Sequence, residues 1–272
     1  MSDDWPAVPA GSKGKAPPVD LRLGGVLAFV ARNRDVYRKT WKTNFLPPLL
    51  EPFLYLLSVG YGVGALVGTL GGQSYAAFVA PGILAITIMQ SAFFETTYGS
   101  FVRLVFQRTW DAVTATPLSL DDVLVGEMVW AATKSALNTG LMAIVIAGFG
   151  LLAWASIPAV IVVGFLGGLV FAGLGLICSA RVKSIDGFSF AMYLFITPMM
   201  LFAGTFFPLN QLPAGAQAAA QVLPLTHVVA VLRPLALGAW DAIPPLSAAY
   251  LVATTLAAPT IALWLMKRKL QT

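Results

Sequence analysis

Residues 157–181 read IPAVIVVGFLGGLVFAGLGLICSAR, an apolar run with no charged side chain before Arg181. A helix of about 20 apolar residues crosses the roughly 30 Å hydrocarbon layer. Within that layer a helix satisfies its own backbone hydrogen bonds, which an irregular segment cannot. Five further stretches, 45–66, 75–101, 123–152, 188–207 and 246–266, have matching length and character. Hydrophobic residues make up 58% of the chain and charged residues 11%, a balance outside the soluble range. The sequence therefore predicts an all-α polytopic membrane protein with six transmembrane helices, and transport becomes the leading class of function.

Charge placement predicts the orientation. With the N-terminus in the cytoplasm, fifteen of the 17 basic residues fall in cytoplasmic segments, leaving Arg233 in an outer loop and Lys134 inside a span. The opposite orientation breaks the positive-inside rule, so both termini are expected in the cytoplasm. The net charge of +5 is then a membrane property, with anionic lipid headgroups as its neighbours. Spread over several loops, it does not form a nucleic-acid surface. Cys178 is the single cysteine and His227 the single histidine. They exclude an intrachain disulfide and leave little for metal or triad chemistry, so neither a metal site nor a catalytic residue is expected. The first 20 residues carry no apolar signal-peptide core.

Residues 1–22, rich in Pro, Gly, Ala and Ser, read as a disordered cytoplasmic arm; residues 23–272 read as one transmembrane domain. Over 23–43, Val26, Phe29, Val30, Tyr37 and Trp41 oppose Arg32, Arg34, Asp35, Arg38 and Lys39. That pattern predicts a basic amphipathic helix lying in the membrane interface. Over 101–113, Arg103, Gln107 and Asp111 stand at i, i+4 and i+8 with Arg108 beside them, among Phe101, Leu104, Val105, Trp110 and Val113. The stripe fits a helix half-sunk in the interface, and equally a docking helix that takes force from a soluble partner. Ser119 followed by Asp122 predicts a capping box for the next helix. The adjacent Asp121 and Asp122 suit the positive end of that helix better than a metal.

Charges inside apolar spans must face partners or a wet cavity. Glu127 and Lys134 are seven residues apart on one face, and Glu95 on the neighbouring span can reach Lys134 if their depths match. Between 208 and 240, Pro208, Pro213, Pro224 and Pro234 divide the chain into pieces too short to span. Short re-entrant helices are expected there, with His227 and Arg233 in hydrogen-bonding roles.

Several stretches carry a resemblance. They are Gln107-Arg108-Thr109-Trp110-Asp111-Ala112, Val125-Gly126-Glu127-Met128-Val129-Trp130, Ile196-Thr197-Pro198, Gln211-Leu212-Pro213, Leu223-Pro224-Leu225-Thr226-His227 and Leu232-Arg233-Pro234-Leu235-Ala236-Leu237-Gly238. In this order they resemble the membrane subunits of type-two ABC exporters, and within them the nodulation-factor branch. Ala115-Thr116-Pro117-Leu118-Ser119 is more similar to the wider family, which moves drugs and polysaccharides, and Asp111 stands where the branch often has Glu.

The resemblance implies a bacterial cytoplasmic (inner) membrane location and a coupling helix at 101–113 carrying Arg103, Gln107, Arg108 and Asp111. It also implies two copies of a separate ABC ATPase that hold ATP and Mg, with no cofactor on this chain, and a second permease copy enclosing the path. Phe94, Tyr98, Met199 and Phe202 are candidate path residues, and their adaptable apolar contact suits an amphipathic cargo such as a glycolipid, lipid-linked saccharide or drug. No Walker A pattern occurs. The competing readings are an ion-gradient-driven secondary transporter, which calls for inverted repeats, and a membrane-embedded transferase, which calls for a clustered catalytic constellation.

Overall fold

The computed structural model describes residues 20–41, 50, 52–70, 72–107, 117–182 and 184–270. The arm before Asp20, the start of the first expected span, Arg108, Asp111 and the rest of the 108–116 stretch lie outside the described residues.

Helix α1 (Leu23–Lys39) precedes α2 (Pro52–Val67), a two-residue hairpin (Thr69–Leu70 with Gln73–Ser74) and α3 (Tyr75–Phe106). Then come α4 (Leu120–Gly148), α5 (Trp154–Arg181), α6 (Gly187–Phe202), α7 (Ala214–Ala220), α8 (Pro224–Ala236) and α9 (Pro245–Leu270). The architecture is helical throughout apart from that hairpin among the described residues. Helices α3, α4, α5 and α9 are long and apolar enough to cross a membrane, which makes this a multi-pass protein.

Two of the six expected spans come out shorter. Helices α2 and α6 each rise about 24 Å, less than the roughly 30 Å hydrocarbon layer. For α2, the expected start lies outside the described residues. Helix α6 stops because Gly204 takes φ 79°, a left-handed turn that glycine adopts without a Cβ clash. Helices α7 and α8 meet at 84°, since Pro224 opens α8 at its first turn. This is the broken geometry expected from the prolines, and as a bent pair it is the one further candidate span among the described residues.

Helix α5 packs against α3, α4 and α9, and glycines set those distances. A Cβ on Gly168 would lie 2.9 Å from Ala132 Cα, and one on Gly173 would lie 2.6 Å from the backbone carbon of Ala258. A Cβ on Gly175 would collide with Thr96 Oγ1. Apolar side chains gain nothing over lipid by packing together, so close backbone approach between small residues supplies the attraction.

Helix α1 lies along α4. Its buried face is Val26, Phe29 and Asn33, with the Phe29 ring seated over Gly126. The expected apolar set is thus divided. Val26 and Phe29 are buried, Phe29 against α4, Tyr37 meets Trp130 edge-on at 5.7 Å, and Trp41 is exposed with Leu23, Leu27 and Val36. A helix clad on one side by protein and apolar on another suits the membrane interface.

The starts of α1 and α4 share their caps. Ser119 and Asp122 form the capping box, the Asp122 amide donating to Ser119 Oγ and the Ser119 amide to Asp122 Oδ2, both at 3.1 Å. Asp122 Oδ1 also accepts from the Arg22 amide at 2.7 Å, capping α1, whose own N-cap side chain does not. Asp121 Oδ2 accepts from the Asp20 amide at 2.8 Å and from Lys267 Nζ at 2.9 Å, joining the end of α9 to the same point. Losing two caps costs about 2 kcal/mol at roughly 1 kcal/mol each. Asp122→Ala should therefore lower the thermal midpoint in detergent by about 4–8 °C, while Asp186→Ala, at an exposed turn, should not. An unchanged midpoint for Asp122→Ala would show that the double cap carries no weight.

Candidate functional site

The described part of α3 ends in two widely wound turns, Glu95–Gly99 and Val102–Phe106, with i→i+5 hydrogen-bond spacing. Such turns rotate less per residue than an α-helix and recur at functional sites. Here they bring Glu95, Gly99 and Arg103 onto one face. A Cβ on Gly99 would press on both Glu95 Oε1 and the Arg103 guanidinium at 3.4 Å, so the glycine leaves room for Arg103 to fold back over its own helix.

Arg103 grips Glu127 of α4 with two parallel bonds, Nε to Oε1 at 2.7 Å and Nη2 to Oε2. Its Nη1 donates to Glu95 Oε1 at 2.8 Å, and Lys134 Nζ donates to the other Glu95 oxygen at 2.9 Å. Ser100 Oγ adds a bond to Glu127 Oε2 at 3.0 Å. The order Glu127–Arg103–Glu95–Lys134 alternates sign and sums to zero. Glu127 is fully buried, and the side chains of the other three are 9–15% exposed. Buried charges persist only when paired and hydrogen-bonded in this way. A cavity of about 410 Å³ opens beside the cluster, with Asn33 and Tyr37 of α1 and Tyr98 of α3 in its wall. Charges within a span need partners or a cavity of this kind beside them.

The structure thus brings Glu95, Glu127 and Lys134 together, and adds Arg103. The even i, i+4, i+8 stripe places Arg103 on a docking face under α-helical rotation. With the wide turns, its guanidinium lies in the charge cluster instead. Gln107, the last described residue before segment 108–116, lines the same cavity.

The candidate path residues divide as well. Phe94 and Phe202 are exposed, and Phe94 stacks on Tyr98, which leans on Phe188 of α6 at 5.2 Å. Met199 is buried between α6 and its neighbours. In the segment between α6 and α9, His227 is buried, stacked on Tyr250 at 3.9 Å, and bonded through Nδ1 to Ser247 Oγ and through Nε2 to the Gln221 carbonyl. Arg233 donates to the Gly204 carbonyl at 2.7 Å and lies over the Phe78 ring at 4.0 Å. These bonds tie α8 to α9 and to the turn after α6; His227 and Arg233 do not bond to each other.

Comparison with known proteins matches residues 25–237 to the family described as ABC-2 type transporter. Nodulation protein J of Rhizobium leguminosarum bv. trifolii is 43% identical over 218 residues, covering 79% of this chain and 83% of that protein. Nodulation protein J of Rhizobium meliloti (strain 1021) is 39% identical over 212 residues, covering 78% and 81%. The inner membrane transport permease YadH of Escherichia coli (strain K12) is 23% identical over 206 residues, covering 74% and 78%.

Proposed function

The chain belongs to the ABC-2 type transporter family and is the membrane permease subunit of an ABC exporter, and from that premise we propose how it moves cargo and what it moves. Two copies enclose a route across a bacterial inner membrane, with both termini in the cytoplasm. Two copies of a separate ATPase, holding ATP and Mg, dock on the segment that begins at Gln107 and contains Arg108 and Asp111. Hydrolysis on that partner biases the permease between inward-open and outward-open states. The one-sided distribution of basic residues supports the orientation.

One observation carries the coupling. Directly before the docking segment, Arg103 clamps the last turns of α3 to α4 through Glu127, and Glu95 extends the clamp to Lys134. A push delivered at 107–116 therefore reaches both helices together. The exposed aromatics Phe94 and Phe202 support an amphipathic cargo, such as a glycolipid, lipid-linked saccharide or hydrophobic drug, moved outward.

The test is reconstitution with the cognate ATPase in proteoliposomes. Amphipathic candidates should stimulate vanadate-sensitive hydrolysis, and alanine at Phe94 or Phe202 should weaken the response severalfold. Arg108→Glu should reduce both ATPase capture and transport by about tenfold, the loss of roughly 1.4 kcal/mol of docking energy, while leaving membrane insertion intact. Full capture and full transport by that variant would remove the docking assignment. Stimulation confined to small ions or free sugars would remove the cargo class.

A further inference from the structure

A second cavity, of about 310 Å³, lies between α3, α5 and α6, away from the charge cluster. Its origin is local. At the start of α6 the chain is pressed to the end of α5, where a Cβ on Gly187 would lie 2.7 Å from Val182 Cγ1. Phe188 is buried there against Tyr98 and Phe101. Further on, the wide turns Met192–Ile196 carry α6 past α5 without filling the gap, and buried Met199 closes the inner end. The side toward the surroundings is rimmed by Phe190 and Leu194, both largely exposed.

On α5 the wall runs from Leu174 through Ile177 and Cys178 to Arg181, about 10 Å along the helix axis. Polarity follows that axis, apolar toward the helix middle and cationic at its end. Arg181 is exposed and, among the described residues, makes no ion pair. Nor is it needed as a cap, because Lys269 Nζ takes the carbonyls of Ser179 and Val182 at 2.9 and 2.8 Å. An apolar slot along a span with a spare guanidinium at headgroup depth has the polarity of one lipid molecule. Its volume is at the lower end of the roughly 300–1,000 Å³ of ligand pockets.

We propose that this slot is a binding site for an anionic phospholipid, one acyl chain lying along α5 between α3 and α6 and the phosphate held by Arg181. The occupant is a bilayer lipid and not the transported cargo. It props α6 against the bundle, and anionic headgroups are the natural counterions for a basic side chain at the membrane surface.

Cys178, the one cysteine in the chain, is partly exposed in the cavity wall and reports on occupancy. The full-length permease would be placed in nanodiscs of phosphatidylcholine alone or with added phosphatidylglycerol, and treated with N-ethylmaleimide. Intact mass spectrometry would follow the modification rate. Phosphatidylglycerol should slow it about tenfold, the protection given by nine-tenths occupancy, and Arg181→Gln should abolish that slowing when each protein is compared with its own rate in phosphatidylcholine. A surface-charge effect on the thiol would persist in the variant, so equal slowing in both proteins overturns the proposal. Equal rates in the two lipids overturn it as well. Slow modification in every lipid would place a second permease copy over the slot and also overturn it. Nanodiscs expose both faces, so the result does not depend on the orientation assigned above.

Discussion

Arg103→Met should leave little folded permease. The substitution keeps the length and apolar stem of the side chain but removes the cation that holds Glu127 with two bonds and Glu95 with one. Breaking one side of a buried pair costs roughly 3–5 kcal/mol, because the remaining charge stays out of water. Total stabilities run only about 5–15 kcal/mol, so the monodisperse fraction after detergent extraction should collapse. Arg103→Lys should fall between, since an ammonium keeps the charge and loses the fork. The double variant Arg103→Met with Glu127→Gln should recover part of the yield, because it removes one charge of each sign. A single variant with wild-type yield and thermal midpoint would refute the cluster as a structural clamp.

Gly173→Val should be the most damaging change on α5. The added Cβ would lie 2.6 Å from the Ala258 backbone carbon and 2.8 Å from the Pro259 nitrogen. Both obstacles are main chain, and Pro259 stiffens α9 at that level, so neither helix can yield by changing a rotamer. Forcing them apart forfeits the close contacts that hold membrane helices together. Loss of most folded protein is expected on size-exclusion chromatography. Gly24→Val is the control, because a Cβ there meets nothing within 4 Å, and it should cost no more than a few tenths of a kcal/mol in a helix. Equal yields for the two variants would mean that α5 and α9 do not depend on this contact.

Legibility from sequence followed the range of the interaction. The Ser119–Asp122 capping box is a four-residue pattern and appears as read. Glu95 and Lys134 were legible as a pair because a lone charge in a span needs a partner. Arg103 was not, since its stripe was counted on α-helical rotation and the chain winds more widely there; the one available signal was Gly99, a small residue between two groups that must meet. Helix length was overread at 188–207, where hydropathy runs on past Phe202 but Gly204 turns the chain. The glycines of α5 were visible, yet which neighbour each one faces depends on packing that no local pattern encodes. The Asp121–Lys267 bond joins residues 146 positions apart, and only the folded bundle brings them together.

That last bond has a consequence for biogenesis. Asp121 is buried at the start of α4, whereas Lys267 lies near the end of α9 and is translated only after α5, α6, α7 and α8. Throughout synthesis of the intervening chain, the Asp121 carboxylate has yet to meet this ammonium, and this end of the bundle stays unlatched. Closure therefore waits for α9. Lys267→Met would act on the latch rather than on the apolar length of any span, and would yield a permease that inserts normally and is then cleared by quality-control proteolysis.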